Sequence, residues 1–420
     1  RLRILDLIRR YEPDVAWDLI LTIFPYDERT IVDFTYQPRW RDWGCADDVS
    51  ERNPDIVVVR RELIRKLCDD VGTHPARWSR LIALVDKLPD EEFIAVMTRL
   101  QETIDFIVND IDSSLLQESL RSALRSLIAT HRSAPTAAWT IHGERLDHLQ
   151  SMYNQLEPHD LIQRYMWQFS NSACFIEVLT RDWSQQRQQI QTIREASLRE
   201  IYANGSLSQI IRLAQQVETP FIVGWTIGQS LLLENQDEEF LVQVLDTEDK
   251  ALVALGQGYI RARLTQEDWL GPWLTNEHLT QGSSRFQTHF YLSLPSNRQL
   301  WTHINNAGED VCRAYWSRVD IGSRGEWEGN DVEIFLYYLL AHNRWTEAIH
   351  WIAEYSYTSH SQPSALFIAG ILCMATDSPI STLINWQQLV RDIPHLLGII
   401  ASSNEVESSV LARLEWTFMP

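Results

Sequence analysis

The sequence has few of the residues that mark disulfide-bonded or all-β proteins. It holds five cysteines, 16 glycines and 15 prolines in 420 residues. The cysteines are odd in number, widely spaced and without a CxxC motif, which excludes a disulfide scaffold and predicts buried free thiols in a reducing compartment. They are Cys45, Cys68, Cys174, Cys312 and Cys373. The low glycine and proline content argues against a loop-rich or all-β fold and favours long helices.

Long hydrophobic runs are also missing. The most apolar stretches, such as residues 366–375, are far too short to span a bilayer. No secretory signal peptide opens the sequence. Because the cysteines fit free thiols in a reducing compartment, a cytoplasmic location is the default prediction. The sequence starts with arginine and stops just after a helical pattern. We therefore expect it to be a fragment of a longer polypeptide.

Positive charge is scarce as well. Lys and Arg total 37 against 57 Asp and Glu, which gives a net charge of −20 at pH 7. Because affinity for nucleic acid rests on neutralising phosphates, this balance disfavours general nucleic-acid binding. All but three of the cations are arginine, the cation suited to partly buried pairs with carboxylates. After residue 210 there are 12 basic and 25 acidic residues, so the second half is the more acidic.

Helical periodicity is what the sequence has in abundance. In residues 57–71, apolar side chains recur near i, i+3 and i+4 with charged residues between them, which predicts an amphipathic helix. Similar segments follow one another along the chain, joined by short capped turns, and no series of strands separates them. We predict an all-α fold, an irregular α-solenoid of stacked helical hairpins similar to TPR or HEAT repeats, with little or no β-sheet.

Three regions are predicted along the chain. Residues 1–56 form an N-terminal helix and a long connection stapled by aromatic side chains. Residues 57–220 form a helical-repeat region, and residues 221–420 form a Trp-rich acidic helical-repeat region.

Local signals within these regions mark a break and a close contact. The Asn-Gly-Ser sequence at residues 204–206 predicts a break between two helices. Gly256 and Gly258 lie inside a predicted helix and suit a close approach of another helix. A further helix is predicted over residues 380–392.

Motifs for bond-making chemistry are absent from the sequence. The histidines lack HExxH or paired-ligand spacing, and neither GxxxxGK[ST] nor GxSxG occurs. The acidic runs at residues 237–239 and 246–249 begin predicted helices, where carboxylates favour the positive end of the helix dipole. We therefore predict no catalytic, metal-binding or cofactor-binding residues and no cofactor.

Tryptophan is the most unusual residue of the composition, with 17 in the chain. Each indole can bury about 200 Å², so core packing is expected to use most of them. Those in turn-like contexts near arginine have the composition of interface anchors, with core packing as the alternative. The predicted partner-binding residues are Trp269, Trp273, Arg324, Trp327, Arg39 and Trp40.

Four segments of the last quarter carry a family resemblance. They are residues 314–319 (AYWSRV), 333–340 (EIFLYYLL), 342–345 (HNRW) and 411–416 (LARLEW). They resemble the helical-repeat sensor regions of large bacterial STAND-type or sirtuin-type antiphage defence proteins, in which a nucleotidase or nuclease effector is joined to a long helical sensor. These are packing patterns, so the resemblance carries over no active-site residue. It implies a sensor or scaffold module whose state controls an effector elsewhere.

Two classes of function are open from the sequence. The first is a non-catalytic protein-recognition or scaffold module whose acidic second half attracts a basic or Arg-bearing ligand. Its partners would be a phage protein or other subunits of the same complex, with no membrane partner. The alternative is an all-α enzyme, a hydrolase with an uncatalogued carboxylate or His site in an inter-helix groove. RNA binding through the Arg-richer first half is a third alternative.

Overall fold

The fold is taken from a computed structural model of the chain. The structure describes residues 2–24, 54–108, 113–177, 180, 182–230, 233, 236–266, 270–320, 331–358, 364–376, 386–403 and 405–418. The regular structure of these residues is helical, and no strand occurs among them. The predicted all-α fold is therefore confirmed.

The chain divides into two compact units, Arg1–Asn204 and Gly205–Pro420. The helices of unit 1 are short or medium in length. They are α1 (Leu2–Tyr11), α2 (Pro13–Ile23), α3 (Pro54–Asp70), α4 (Pro75–Ile82), α5 (Asp90–Ile107), α6 (Ser114–Ser133), α7 (Glu144–Gln155), α8 (Leu161–Tyr165) and the first part of α9 (Trp183–Gln216). The amphipathic helix predicted over residues 57–71 is α3.

The division between the units lies at a kink inside α9. Gly205 and Ser206 leave helical geometry, and Ser206 has φ 59° and ψ −159°, a region that favours glycine. The break predicted at residues 204–206 is therefore confirmed. The region boundary predicted between residues 220 and 221 lies at the start of the next helix, whereas the structure divides the chain at the kink.

The core of unit 1 combines aliphatic and aromatic side chains with arginine contacts. Trp17, Trp78 and Leu120 are among its fully buried side chains. Arg9 Nε donates to Asp70 Oδ2 at 2.6 Å and thereby ties α1 to α3. The guanidinium of Arg125 lies 4.0 Å from the ring centre of Trp167. Arginine thus serves in ion pairs and aromatic stacking inside the unit, as its high share of the cations suggested.

Unit 2 begins with the end of α9 and continues with thirteen further helices in the part described. They are α10 (Pro220–Ser230), α11 (Asp237–Leu245), α12 (Lys250–Gln266), α13 (Leu270–Thr275), α14 (Glu277–Thr280), α15 (Ser284–Ser293), α16 (Arg298–Asn306), α17 (Glu309–Trp316), α18 (Asp331–Ala341), α19 (Trp345–Thr358), α20 (Ala365–Thr376), α21 (Trp386–Ser402) and α22 (Ser408–Phe418).

Neighbouring helices of unit 2 pack on one another in succession. α11 packs on α12 and α15, α15 packs on α17, and α16 packs on α17. Farther along, α18 packs on α19, and α19 packs on both α20 and α21. Stacked hairpins would produce such neighbour contacts, and the arrangement of these hairpins as a solenoid stays a prediction.

Glycines allow α10 and α12 of unit 2 to approach each other closely. A Cβ on Gly224 of α10 would lie 1.8 Å from Leu255 O of α12, and a Cβ on Gly258 would lie 2.1 Å from Phe221 O of α10. A Cβ on Gly256 would instead meet Leu245 Cδ2 of α11 at 2.6 Å. The close approach predicted from Gly256 and Gly258 is confirmed, and it fixes α12 between two helices.

The helix predicted over residues 380–392 is placed differently by the structure. α21 runs from Trp386 to Ser402 and passes through Pro394. Proline removes one helical hydrogen bond, but Ile393, Leu396 and Ile400 of this helix are all buried. Burial of these side chains outweighs the lost hydrogen bond. Residues 380–385 of the predicted helix lie outside the described residues.

The four cysteines within the described residues are free, as predicted. Cys68 is buried as predicted, but Cys312 and Cys373 are only partly buried and Cys174 is exposed, so the predicted burial is wrong for these three. Cys174 lies in an irregular segment that follows the 3-10 segment Met166–Phe169, outside any helix. Cys45 lies outside the described residues.

Cys174 is expected to react with iodoacetamide at least about tenfold faster than Cys68. Burial raises the pKa of the Cys68 thiol to about 11, so its reactive thiolate is scarce at neutral pH, whereas Cys174 is open to the reagent. Peptide mass spectrometry after brief alkylation measures the two rates, with the denatured chain as the fully reactive control. Equal labelling of the folded chain at both positions would contradict the structure.

No helix within the described residues is long and apolar enough to cross a membrane.

Candidate functional site

A groove of about 1060 Å³ lies on unit 2 beside α11 and the short helices α13 and α14. We call it the acidic groove. One wall is the start of α11, and the other comes from residues 272–278. The lining residues are Gln236, Asp237, Glu238, Glu239, Val242, Gln243, Pro272, Trp273, Asn276 and His278.

The two walls are held in place by Asn276. As the N-cap of α14, its Oδ1 accepts from the backbone N–H of His278 at 2.9 Å and of Leu279 at 3.3 Å. Its Nδ2 donates across the groove to Glu238 Oε1. One amide side chain therefore caps the start of α14 and positions a carboxylate of the other wall.

The three carboxylates of the groove have different partners. Asp237 accepts from the hydroxyl of Tyr259, and its Oδ1 lies 3.6 Å from Arg263 Nε. Burial raises the pKa of Tyr259, and the hydrogen bond to Asp237 raises it further, so the phenol stays a proton donor at neutral pH. Both partners of Asp237 belong to α12, and the Arg263 guanidinium offsets part of its negative charge.

Glu238 and Glu239 leave negative charge on the groove. Both side chains are exposed, and Glu238 is bonded to a neutral amide. Glu239 makes no ion pair with any residue that the structure describes, and neither Lys nor Arg lines the groove. The first turn of α11 carries all three acids, which also suits the helix dipole as predicted. The groove nevertheless keeps a net negative charge that an outside cation can neutralise.

Trp273, one of the predicted partner-binding residues, lies in the wall of this groove but is only 4% exposed. Its ring centre lies 6.2 Å from that of Phe290, within the core of unit 2. This burial favours core packing, the alternative considered from the sequence, for most of the indole. The structure thus brings Trp273 next to the acidic run of residues 237–239, two features that the sequence suggested separately.

The other predicted partner-binding residues cannot be placed. Five of them lie outside the described residues, namely Trp269, Arg324, Trp327, Arg39 and Trp40. Their roles therefore stay predictions.

Sequence reasoning did not single out Asn276 or His278 as part of a site. Asn276 carries a local signal, since asparagine before a short helical segment indicates an N-cap. Its contact with Glu238 joins residues 38 positions apart, and no local pattern predicts such a pairing.

A second polar cluster lies between α19 and α21. Asp392 is completely buried, and its Oδ2 lies 2.7 Å from His350 Nδ1. Ser356 Oγ lies 2.8 Å from His395 Nε2 and 2.6 Å from the carbonyl oxygen of Ala353. Burial lowers the pKa of His395, although the charge of Asp392 opposes this shift. His395 is therefore neutral at pH 7.

The chemistry of this cluster is that of a helix contact. Ser356 donates its single hydroxyl proton to Ala353 O, and its contact with His395 Nε2 is then a hydrogen bond only in the His395 tautomer that carries a proton on Nε2. A nucleophilic serine needs the opposite arrangement, in which the histidine accepts the hydroxyl proton. The cluster joins α19 to α21 through polar bonds within a buried contact.

Among the described residues, no group of three or more His, Cys, Asp or Glu side chains is arranged to hold a metal ion.

The acidic groove combines carboxylates with apolar surface. Glu238 and Glu239 can accept hydrogen bonds from a guanidinium or an ammonium group, while Val242 and Pro272 can pack against the aliphatic part of an Arg or Lys side chain. Such a surface suits a basic peptide segment. Comparisons of the chain with protein-family models, with curated proteins and with solved structures gave no match.

Proposed function

We propose that this chain is a protein-recognition module that binds a basic, Arg-bearing or Lys-bearing segment of a partner protein in the acidic groove. The observation that carries the proposal is the groove itself, where two exposed glutamates that have no cationic partner among the described residues lie beside apolar wall residues. The excess of acidic over basic residues after position 210 supports it, since it attracts basic partners over a distance.

The wider setting of the proposal comes from the sequence resemblance. We place the module in the sensor or assembly region of a larger bacterial antiviral defence protein or complex. The partner would then be a phage protein or another subunit of the complex. The four free cysteines support a cytoplasmic location, because free thiols persist in reducing compartments.

Replacing Glu239 by lysine is expected to weaken binding of a basic peptide about tenfold, because a cation in the groove repels the ligand that the carboxylate attracted. The measurement is fluorescence anisotropy of a labelled hexa-arginine peptide titrated with the protein. Glu239 is exposed and makes no ion pair with any described residue, so the variant should keep its far-UV circular dichroism spectrum.

The matched control for this experiment is Glu415→Lys on α22. Glu415 is also exposed on a helix, and its replacement changes the net charge by the same amount. We expect less than about a twofold effect, since α22 packs on α20 and α21, contributes no residue to the lining of the groove, and salt screens its exposed charges. An equal loss in both variants would show that the peptide binds the overall charge of the protein and would overturn the proposal.

For the enzyme alternative, one group of described residues resembles a catalytic arrangement. It is the cluster of Ser356 with His395 and of His350 with Asp392. Its hydrogen bonds are explained by the packing of α19 on α21. The hydrolase alternative stays a prediction, with no described group that favours it over recognition.

A further inference from the structure

A second groove, of about 740 Å³, lies across three helices of unit 2. We call it the three-helix groove. The N-terminal halves of α12 and α15 form two sides of it, and α17 forms the third. Its lining residues are Glu248, Lys250, Val253, Ala254, Gln257, Ser284, Arg285, Thr288, His289, Asp310, Ala314 and Arg318.

The polar groups at the base of the groove are already used within the protein. Thr288 is buried and donates its hydroxyl to Ser284 O at 2.7 Å. His289 Nδ1 lies 2.8 Å from Leu245 O. Val253 and Ala314 add small apolar side chains. The base therefore offers surface for packing. The exposed residues of the walls are the ones that can bind a charged ligand.

The walls carry more positive than negative charge. Arg285 Nη2 pairs with Glu248 Oε1 at 2.9 Å, so these two charges offset each other. Lys250 and Arg318 are exposed and form no ion pair with any residue in the described part of the chain. Asp310 is the one remaining lining acid in that part. Two uncompensated cations thus face one uncompensated acid, in a unit that is otherwise strongly acidic.

The starts of the two helices beside the groove are capped from within the protein. Asp249 Oδ1 accepts from the backbone N–H of Ala251 at 2.9 Å, and Ser283 Oγ accepts from the backbone N–H of Phe286 at 3.1 Å. The attraction for an anion therefore comes from the exposed side chains of Lys250 and Arg318.

We infer that the three-helix groove binds an acidic segment of a partner protein, whose carboxylates contact Lys250 and Arg318. Charge complementarity argues for an anionic occupant. A protein segment is favoured over a nucleic acid because no Trp, Tyr or Phe is present among the lining residues to stack on bases, and the chain carries a net charge of −20. This inference concerns a site separate from the acidic groove.

The test is fluorescence anisotropy of a labelled hexaglutamate peptide with an amidated C-terminus, at low ionic strength. The peptide is repelled by the overall charge of the protein, so binding requires a local positive site. We expect the wild-type chain to bind the peptide, and Lys250→Glu and Arg318→Glu each to weaken binding about tenfold. Both side chains are exposed, and unchanged circular dichroism spectra would confirm that the variants fold.

Arg413→Glu on α22 is the matched control, because Arg413 is exposed and its replacement makes the same charge change. We expect less than about a twofold effect there. Absence of hexaglutamate binding to the wild-type chain, or an equal loss in Arg413→Glu, would overturn the inference. Tighter binding of an oligothymidylate than of hexaglutamate would also overturn it, in favour of a nucleic acid.

The two grooves can be tested independently. Glu239→Lys should leave hexaglutamate binding undiminished, and Lys250→Glu should leave hexa-arginine binding undiminished. If hexaglutamate fails to bind while hexa-arginine binds at Glu239, the inference alone is wrong. If hexaglutamate binds while hexa-arginine does not bind at Glu239, the proposed function of the acidic groove is wrong and the inference on the three-helix groove is supported.

Discussion

Replacing Gly258 by alanine is expected to lower the free energy of unfolding of unit 2 by about 2 kcal/mol or more, at the upper end of what overpacking costs. The added Cβ would lie 2.1 Å from Phe221 O and 2.9 Å from the backbone nitrogen of Trp225, and both are backbone atoms of α10. A backbone cannot rotate away as a side chain can. The two helices must therefore separate, and urea unfolding followed by circular dichroism measures the loss.

Gly398→Ala supplies the control for this prediction. Gly398 is exposed on α21, and a Cβ there would meet no atom within 4 Å. Since alanine is the better helix former, this variant should gain up to about 1 kcal/mol. Equal stability of the Gly258 and Gly398 variants would refute the close contact between α10 and α12.

The glycine contact also bears on both grooves. α12 carries Lys250 in the wall of the three-helix groove and Tyr259 behind Asp237 of the acidic groove. A displacement of α12 would therefore move one wall of the three-helix groove. It would also move Tyr259, the hydrogen-bond partner of Asp237 in the acidic groove. Glycines distant from solvent thus help to hold two surface features in place.

Trp316→Ala is expected to cost about 3 to 5 kcal/mol, the usual range for truncating a fully buried tryptophan. Trp316 is 0% exposed. Its ring centre lies 4.5 Å from the ring centre of Tyr338, 5.1 Å from that of Tyr315 and 5.8 Å from that of Phe335. Removing the indole leaves a cavity among large, rigid rings that cannot collapse into it. The midpoint of urea unfolding should fall accordingly.

The same substitution at Trp416 should change stability by no more than about 0.5 kcal/mol, because that side chain is 88% exposed on α22. The pair compares one residue type in two environments under the same assay. A large loss at Trp416, or a small one at Trp316, would contradict the burial that the structure assigns.

These two tryptophans show where sequence reasoning succeeded and where it was limited. Both lie in segments with the same kind of apolar repeat, and core packing was expected for most tryptophans. The structure confirms it for Trp316, Trp301 and Trp351 but leaves Trp416 in solvent. Periodicity shows which side chains share one helix face, and only a neighbouring helix can bury that face.

Glycine positions predicted local backbone structure more dependably than periodicity predicted the burial of single side chains. The break at residues 204–206 and the close approach at Gly258 follow from the conformational freedom and small size of glycine, which act over a few residues. Proline was less informative, since α21 continues through Pro394. There the burial of Ile393, Leu396 and Ile400 by neighbouring helices decided the outcome.

The sequence by itself determined that the described chain is helical, because apolar spacing near 3.6 residues and helix caps are local properties. It also placed the acids of residues 237–239 at a helix start. Only the tertiary structure set those acids opposite Asn276 and beside Trp273, and brought Lys250 and Arg318 to one groove. Such pairings depend on contacts between residues far apart in the chain, which many alternative packings of the same helices could satisfy and which the packing of side chains selects.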